Sequence, residues 1–318
     1  MVLRVDHVCK EYRGGVRAND DISIRVNAGQ VYGLLGHNGA GKTTLVNQVA
    51  GLIRPTSGTI RIGDGDPVAD PGFAHRVCSV QPQAQVPLMG VTPRQAITLV
   101  ARIRGAGRAE AATATQRLLE ALDITEWADT PAERLSGGVR RLAAYCLAAV
   151  RPGQVIVLDE PSNDVDPVRR RLLWQQVRSL ADDGAAVLLV THNLTEVERI
   201  LDRLSVLAHG RVVAEGTVAD LRAGAGPALR LDVSLSAGTE EPAVPAFAAQ
   251  PPRRDRQRLV YALDTAEAVA ATEWAARMQA AGAVEDFSLY PMRVEDIYLA
   301  LEEHQPATDE EVNDVVAP

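Results

Sequence analysis

Residues Gly36-His37-Asn38-Gly39-Ala40-Gly41-Lys42-Thr43 follow the pattern G-x-x-x-x-G-K-[ST], with Thr44 next in the chain. No other segment restricts the fold as strongly, because such a loop must be delivered by a strand and continued by a helix. The flanking sequence meets both demands. Segments rich in β-branched residues, set off by Gly and Asn turns, predict strands over 2–8, 22–26 and 30–35. A helix is predicted over 42–52, stopped by Pro55 and Gly58, with a further strand over 59–62. The glycines allow amide N–H groups to turn inward onto phosphate oxygens, and the helix start adds partial positive charge. Lys42 then reaches the β- and γ-phosphates of a nucleotide, and the Thr43 hydroxyl is placed to ligate Mg2+. Composition supports this reading of Lys42. Of 33 basic residues only Lys10 and Lys42 are lysines. A compact ammonium fits a tight phosphate loop where a planar guanidinium does not.

A second apolar strand, 155–158, runs into Asp159 and Glu160. Its lack of alternation, and that of 186–190 after a helix over 167–180, predicts a parallel sheet covered on both faces. Two carboxylates at the carboxyl end of a buried strand lie where such sheets bind ligands. Asp159 is the candidate Mg2+ ligand and Glu160 the candidate general base for an attacking water. Between these motifs the chain reads as helical over 92–150. Thr92-Pro93 opens one helix, Gly105 and Gly107 close it, a second runs over 108–122, and a third starts at Ser136. A hairpin around Gly210 closes this part of the chain.

Ahead of the third helix stands Leu135-Ser136-Gly137-Gly138-Val139-Arg140-Arg141, with Ser136 placed 23 residues before Asp159. With the phosphate loop and the acidic strand, this segment makes residues 1–222 resemble the ATP-binding cassette (ABC) ATPases, whose signature reads LSGGQ. Val139 departs from that signature, where Gln is usual. The resemblance implies a P-loop α/β fold with a parallel-sheet core, an antiparallel β subdomain and a helical subdomain at about 92–150. It implies ATP and Mg2+ as ligands. It also implies that Ser136, Gly137 and Gly138 meet the γ-phosphate held by a second subunit. Tyr12 then stacks on adenine. Gln83, nine residues before Thr92, fits the glutamine loop that senses Mg2+ and water, with Gln81 and Gln85 as neighbouring alternatives. The run Ser162-Asn163-Asp164-Val165-Asp166 matches the loop at the dimer interface, and His192 matches the switch histidine.

The remaining third differs in charge. Residues 1–222 carry 26 basic and 24 acidic side chains, whereas 223–318 carry 7 and 17. The break marks a domain boundary, and the acidic excess argues against nucleic-acid binding. A linker over 223–256 with one strand at 228–235 is predicted to precede a small α+β accessory domain over 257–304. That domain reads as a strand at 258–263, a helix at 265–281, a strand at 284–290 and a helix at 293–303. An acidic disordered tail is expected over 305–318. Arg293-Val294-Glu295-Asp296-Ile297-Tyr298-Leu299-Ala300-Leu301 resembles the C-terminal motif of ABC-2-type exporter ATPases, including the daunorubicin-resistance type.

That resemblance implies a nucleotide-binding subunit at the cytoplasmic face of the cell membrane, working with a separate permease and paired with a second ATPase subunit. No apolar run reaches the roughly 18 residues of a membrane span. Residues 1–10, with Arg4, Asp6 and His7, do not read as a secretory signal. The dispersed Cys9, Cys78 and Cys146 fit a reducing compartment. Residues 83–90, with Leu88 and Met89, are the candidate permease-docking surface. An importer ATPase shares every catalytic motif and stays open as an alternative, as does a soluble non-transport ABC ATPase.

Overall fold

The computed structural model describes residues 2–292, apart from 85–87, 89, 225–226, 240–241 and 249–250. The predicted helix at 293–303, the exporter-like motif, the tail, Gln85 and Met89 lie outside the described residues. The chain divides into two compact units, Met1–Val218 and Ala219–Pro318, a few residues before the charge break.

The first unit opens with β1 (Leu3–Glu11), β2 (Arg17–Val26), β3 (Val31–Leu35), α1 (Lys42–Val49) and β4 (Ser57–Ile62). α2 (Pro71–Val77) and β5 (Cys78–Gln81) follow, neither of which the hydrophobic pattern predicts. α2 is short and starts because Asp70 accepts a hydrogen bond from the Phe73 amide and Pro71 takes the first turn. Next come α3 (Pro93–Ile103), α4 (Arg108–Ala121) and α5 (Gly137–Ala149). Thr92 and Gln95 cap α3 reciprocally, the Thr92 hydroxyl accepting from the Gln95 amide and the Gln95 side chain from the Thr92 amide. β6 (Val155–Asp159), α6 (Pro167–Asp182), β7 (Ala186–Val190), α7 (Leu194–Val197), β8 (Arg203–Ala208) and β9 (Arg211–Gly216) complete the core, and α8 (Val218–Gly224) follows.

Among the described residues, these strands form two sheets. One has the order β2-β1-β4 and is antiparallel. The other has the order β5-β6-β7-β3-β8-β9, parallel throughout except for the β8–β9 hairpin. Every residue of β3, β6 and β7 is buried, as unalternating apolar strands require when both faces are covered. One face packs on α3–α6 through Ile156, Leu158, Val187 and Leu189. The other packs on α1 and the antiparallel sheet through Tyr32, Leu34, Val157 and Leu188. Strand order sets the site: β3, β7 and β6 are neighbours, so the loops leaving their carboxyl ends converge.

The second unit holds β10 (Leu229–Leu235), β11 (Arg253–Asp255), β12 (Arg258–Leu263), α9 (Ala268–Ala280) and β13 (Val284–Pro291). Among the described residues its sheet has the order β11-β12-β10-β13, antiparallel throughout. Leu231, Val233, Leu259 and Tyr261 pack against Trp274 and Ala275 of α9. Phe247, Tyr261 and Trp274 meet edge to face, with centroids 5.5–5.9 Å apart.

Candidate nucleotide site

The phosphate loop leaves β3 and is wedged between β2 and β8. Gly41 has φ +96°, and a Cβ there would stand 2.1 Å from the Ala18 carbonyl oxygen. A Cβ on Gly36 would stand 2.4 Å from the Leu207 carbonyl oxygen. Only glycine fits these two places. Asn19, fully buried on β2, donates through Nδ2 to the Gly41 carbonyl at 3.0 Å. No side chain caps the amino terminus of α1, so its first amides face the loop without a side-chain acceptor. The Lys42 ammonium lies across the loop and donates to the Gly36 carbonyl (2.6 Å) and the His37 carbonyl (2.8 Å). Burial pushes its pKa down, while Glu160 and Asp159 push it up. Thr43 is exposed on the first turn of α1. The Tyr12 hydroxyl lies 3.4 Å from Thr44 Oγ1, and the Tyr12 ring is part-exposed beneath Lys10 Nζ, 5.2 Å from its centroid.

Asp159 ends β6 and is almost fully buried. Desolvation, reinforced by the neighbouring Glu160 charge, lifts its pKa to about 6 against the opposing pull of Lys42 and Arg141. Glu160 follows with φ +48°, a left-handed conformation that a non-glycine residue adopts at a cost of about 1 kcal/mol. Its carboxylate is held from three sides. Oε2 accepts from Thr191 Oγ1 at 3.1 Å, and Oε1 accepts from the His192 amide at 2.9 Å. His192 Nδ1 lies 2.6 Å from the same Oε1. The residues after β7 therefore aim Glu160, and the strained backbone persists because these contacts over-determine it. Thr191 and Asn19 are parts that motif reading missed. Their signal is faint: one polar residue on the buried face of β2 and one at the end of β7.

Ser136 caps α5, its Oγ accepting from the Val139 amide at 3.3 Å. A Cβ on Gly138 would stand 2.4 Å from the Asp164 carbonyl oxygen. The second glycine of the signature thus permits close packing on the 162–166 loop, a reason beyond access of its amide to phosphate. That loop ends at Asp166, which caps α6 by accepting from the Val168 and Arg169 amides. Of the three glutamines, Gln81 is buried at the end of β5 and its Nε2 donates to the Arg141 carbonyl at 3.1 Å. Gln83 stands exposed past the strand end.

Among the described residues no three His, Cys, Asp or Glu side chains gather as a metal cluster. The phosphate loop and β6 end in oxygen donors, the Thr43 hydroxyl on α1 and the Asp159 carboxylate at the end of β6. Such a set suits Mg2+, a hard cation that keeps waters and phosphate oxygens among its ligands.

Glycine loop, anion-ready helix start, paired carboxylates and the Glu160-bound His192 along one sheet edge define the class, a P-loop ATPase of the ATP-binding-cassette type. Comparison with known proteins agrees. The model of the family described as ABC transporter matches residues 19–163. The daunorubicin/doxorubicin resistance ATP-binding protein DrrA of Streptomyces peucetius is 36% identical over 212 residues, which cover 67% of this chain and 64% of that protein. The daunorubicin resistance ATP-binding protein DrrA3 of Streptomyces coeruleorubidus is 36% identical over 241 residues, 73% of each chain. A solved ATP-binding subunit of an ABC transporter superposes with a TM-score of 0.66 at 27% identity, covering 70% of this chain and 93% of that one. The chain belongs to the family of ABC transporter ATP-binding proteins. It spans just under two thirds of the length of the first of these relatives. Among the described residues no helix is long and apolar enough to cross a membrane.

Proposed function

We propose that this chain hydrolyses ATP to drive export of a drug, lipid or similar substrate through a separate membrane permease, acting at the cytoplasmic face. The observation that carries the catalytic part is the Glu160 carboxylate, fixed by Thr191 and His192 beside buried Asp159 and Lys42. Lys42 and the α1 amides hold the β- and γ-phosphates, and Tyr12 stacks on the base. Mg2+, held by Thr43 and Asp159 with Gln83 as sensor, neutralises phosphate charge when bound. Glu160 accepts the proton of the attacking water. His192 keeps that carboxylate oriented and faces the γ-phosphate.

Ser136, Gly137 and Gly138 of a second copy close over the phosphate, so ATP joins two subunits and hydrolysis frees them. The names of the drug-resistance relatives favour export, and residues 83–90 are the proposed permease-docking segment. The test uses Glu160→Gln in the full chain. With ATP and Mg2+ it should hydrolyse at least about 100-fold slower and run as a stable dimer by light scattering. A variant that stays monomeric, with or without the permease, removes the sandwiched-nucleotide mechanism.

A further inference from the structure

Arg141 is a charged side chain only 8% exposed, on the second turn of the helix that Ser136 caps. A buried guanidinium needs partners. Here they are backbone carbonyls of the glutamine loop. Nη1 donates to the Pro82 carbonyl at 3.1 Å and Nη2 to the Gln83 carbonyl at 2.8 Å. The Arg141 carbonyl in turn accepts from the buried Gln81 side chain. Three hydrogen bonds thus close a ring between α5 and residues 81–83. The fork geometry matters, since a planar guanidinium spans two successive carbonyls in a fixed orientation and a point-like ammonium does not.

The geometry points to Arg141 as a positioning residue that ties the signature helix to the Gln83 backbone, so that a shift of α5 carries Gln83 with it. The inference rests on the proposed function, in which Gln83 serves the hydrolytic site and the start of α5 meets the second nucleotide. One residue then mechanically joins two places used by different nucleotides. Gln83 is exposed past β5, and Arg141 holds its backbone carbonyl.

Losing this link should not unfold the chain, because Pro82 and Gln83 are exposed and water can take over their carbonyls. The experiment measures hydrolysis by the full chain against ATP and Mg2+ for wild type, Arg141→Ala, Arg141→Lys, Gln83→Ala and the Arg141→Ala/Gln83→Ala double variant. Arg141→Ala should lower kcat by about 10–100-fold with the KM for ATP changed less than about threefold, and Arg141→Lys should recover only part of the loss. The double variant should be no slower than the slower single one, because both lesions act on one element. Arg141→Met, which keeps the apolar stem, replaces Arg141→Ala if the latter melts early. Full kcat in the folded variants, or independent multiplying losses, would overturn the inference. A wild-type chain without Mg2+-dependent hydrolysis would instead overturn the proposed function.

Discussion

Both units bury a carboxylate, and they treat it in opposite ways. In the second unit Asp232 sits on β10, 2% exposed, and is satisfied from within. Arg230 approaches it through Nε and Nη2, Arg258 through Nη2, and the Tyr290 hydroxyl donates to it. In the first unit Asp159 is 3% exposed, yet among the described residues no side-chain donor is in hydrogen-bond contact with it. Its pKa rises to about 6 because burial and the adjacent Glu160 charge outweigh the opposing pull of Lys42 and Arg141. Lys42 is likewise desolvated and, among the described residues, hydrogen-bonded to two backbone carbonyls. Charge that a fold neutralises internally is scaffold. Charge that it buries and leaves short of counter-charge is poised for something that arrives.

The contrast breaks most visibly at Lys42. Lys42→Ala should cost at least about 10²–10³-fold in hydrolysis, and Lys42→Arg nearly as much, because the wider guanidinium has no room in the loop. Normal turnover by Lys42→Arg would remove the steric argument. Asp232→Asn should destabilise the second unit by about 3 kcal/mol, read by calorimetry, since two guanidinium groups lose their carboxylate.

Asp159→Asn should do the reverse, stabilising the ligand-free chain at pH 7 by up to about 3 kcal/mol while abolishing Mg2+-dependent turnover. The sign follows from the raised pKa. Between pH 3.8 and about 6 the native state binds more protons at this group than the unfolded chain does. Stability from this group is therefore lost as pH rises through that window, and Asp159→Asn should flatten the corresponding slope of melting temperature against pH. A destabilised Asp159→Asn would place Asp159 with the scaffold. The smallest effect is expected from Tyr12→Ala, which should raise the KM for ATP by about fivefold, near 1 kcal/mol of stacking, without changing kcat.

Much of the first unit was legible because its demands are local. The phosphate loop needs its glycines at fixed places, β6 and β7 are unbroken apolar runs, and Thr92-Pro93 announces a helix. What was not legible depends on tertiary contact. α2 and β5 are too short for a hydrophobic period to register. Nothing local assigns Thr191 to Glu160, or Arg141 to the carbonyls of Pro82 and Gln83, because those bonds join residues 31 and about 58 positions apart. In the second unit strands expected over 228–235, 258–263 and 284–290 stand as β10, β12 and β13, but β11, three residues long, is too short to register.

The near absence of lysine has a chemical consequence. Lys10, beside the Tyr12 ring, and Lys42, inside the phosphate loop, are the only side-chain amines in the chain. Lys10 is tethered by the Arg54 carbonyl at 2.8 Å, whereas Lys42 is sealed beneath its loop. Amine acylation, which scatters over dozens of positions in an ordinary protein, is therefore confined on this chain's side chains to two positions. A lysine-directed reagent becomes an occupancy probe: bound nucleotide should shield Lys10.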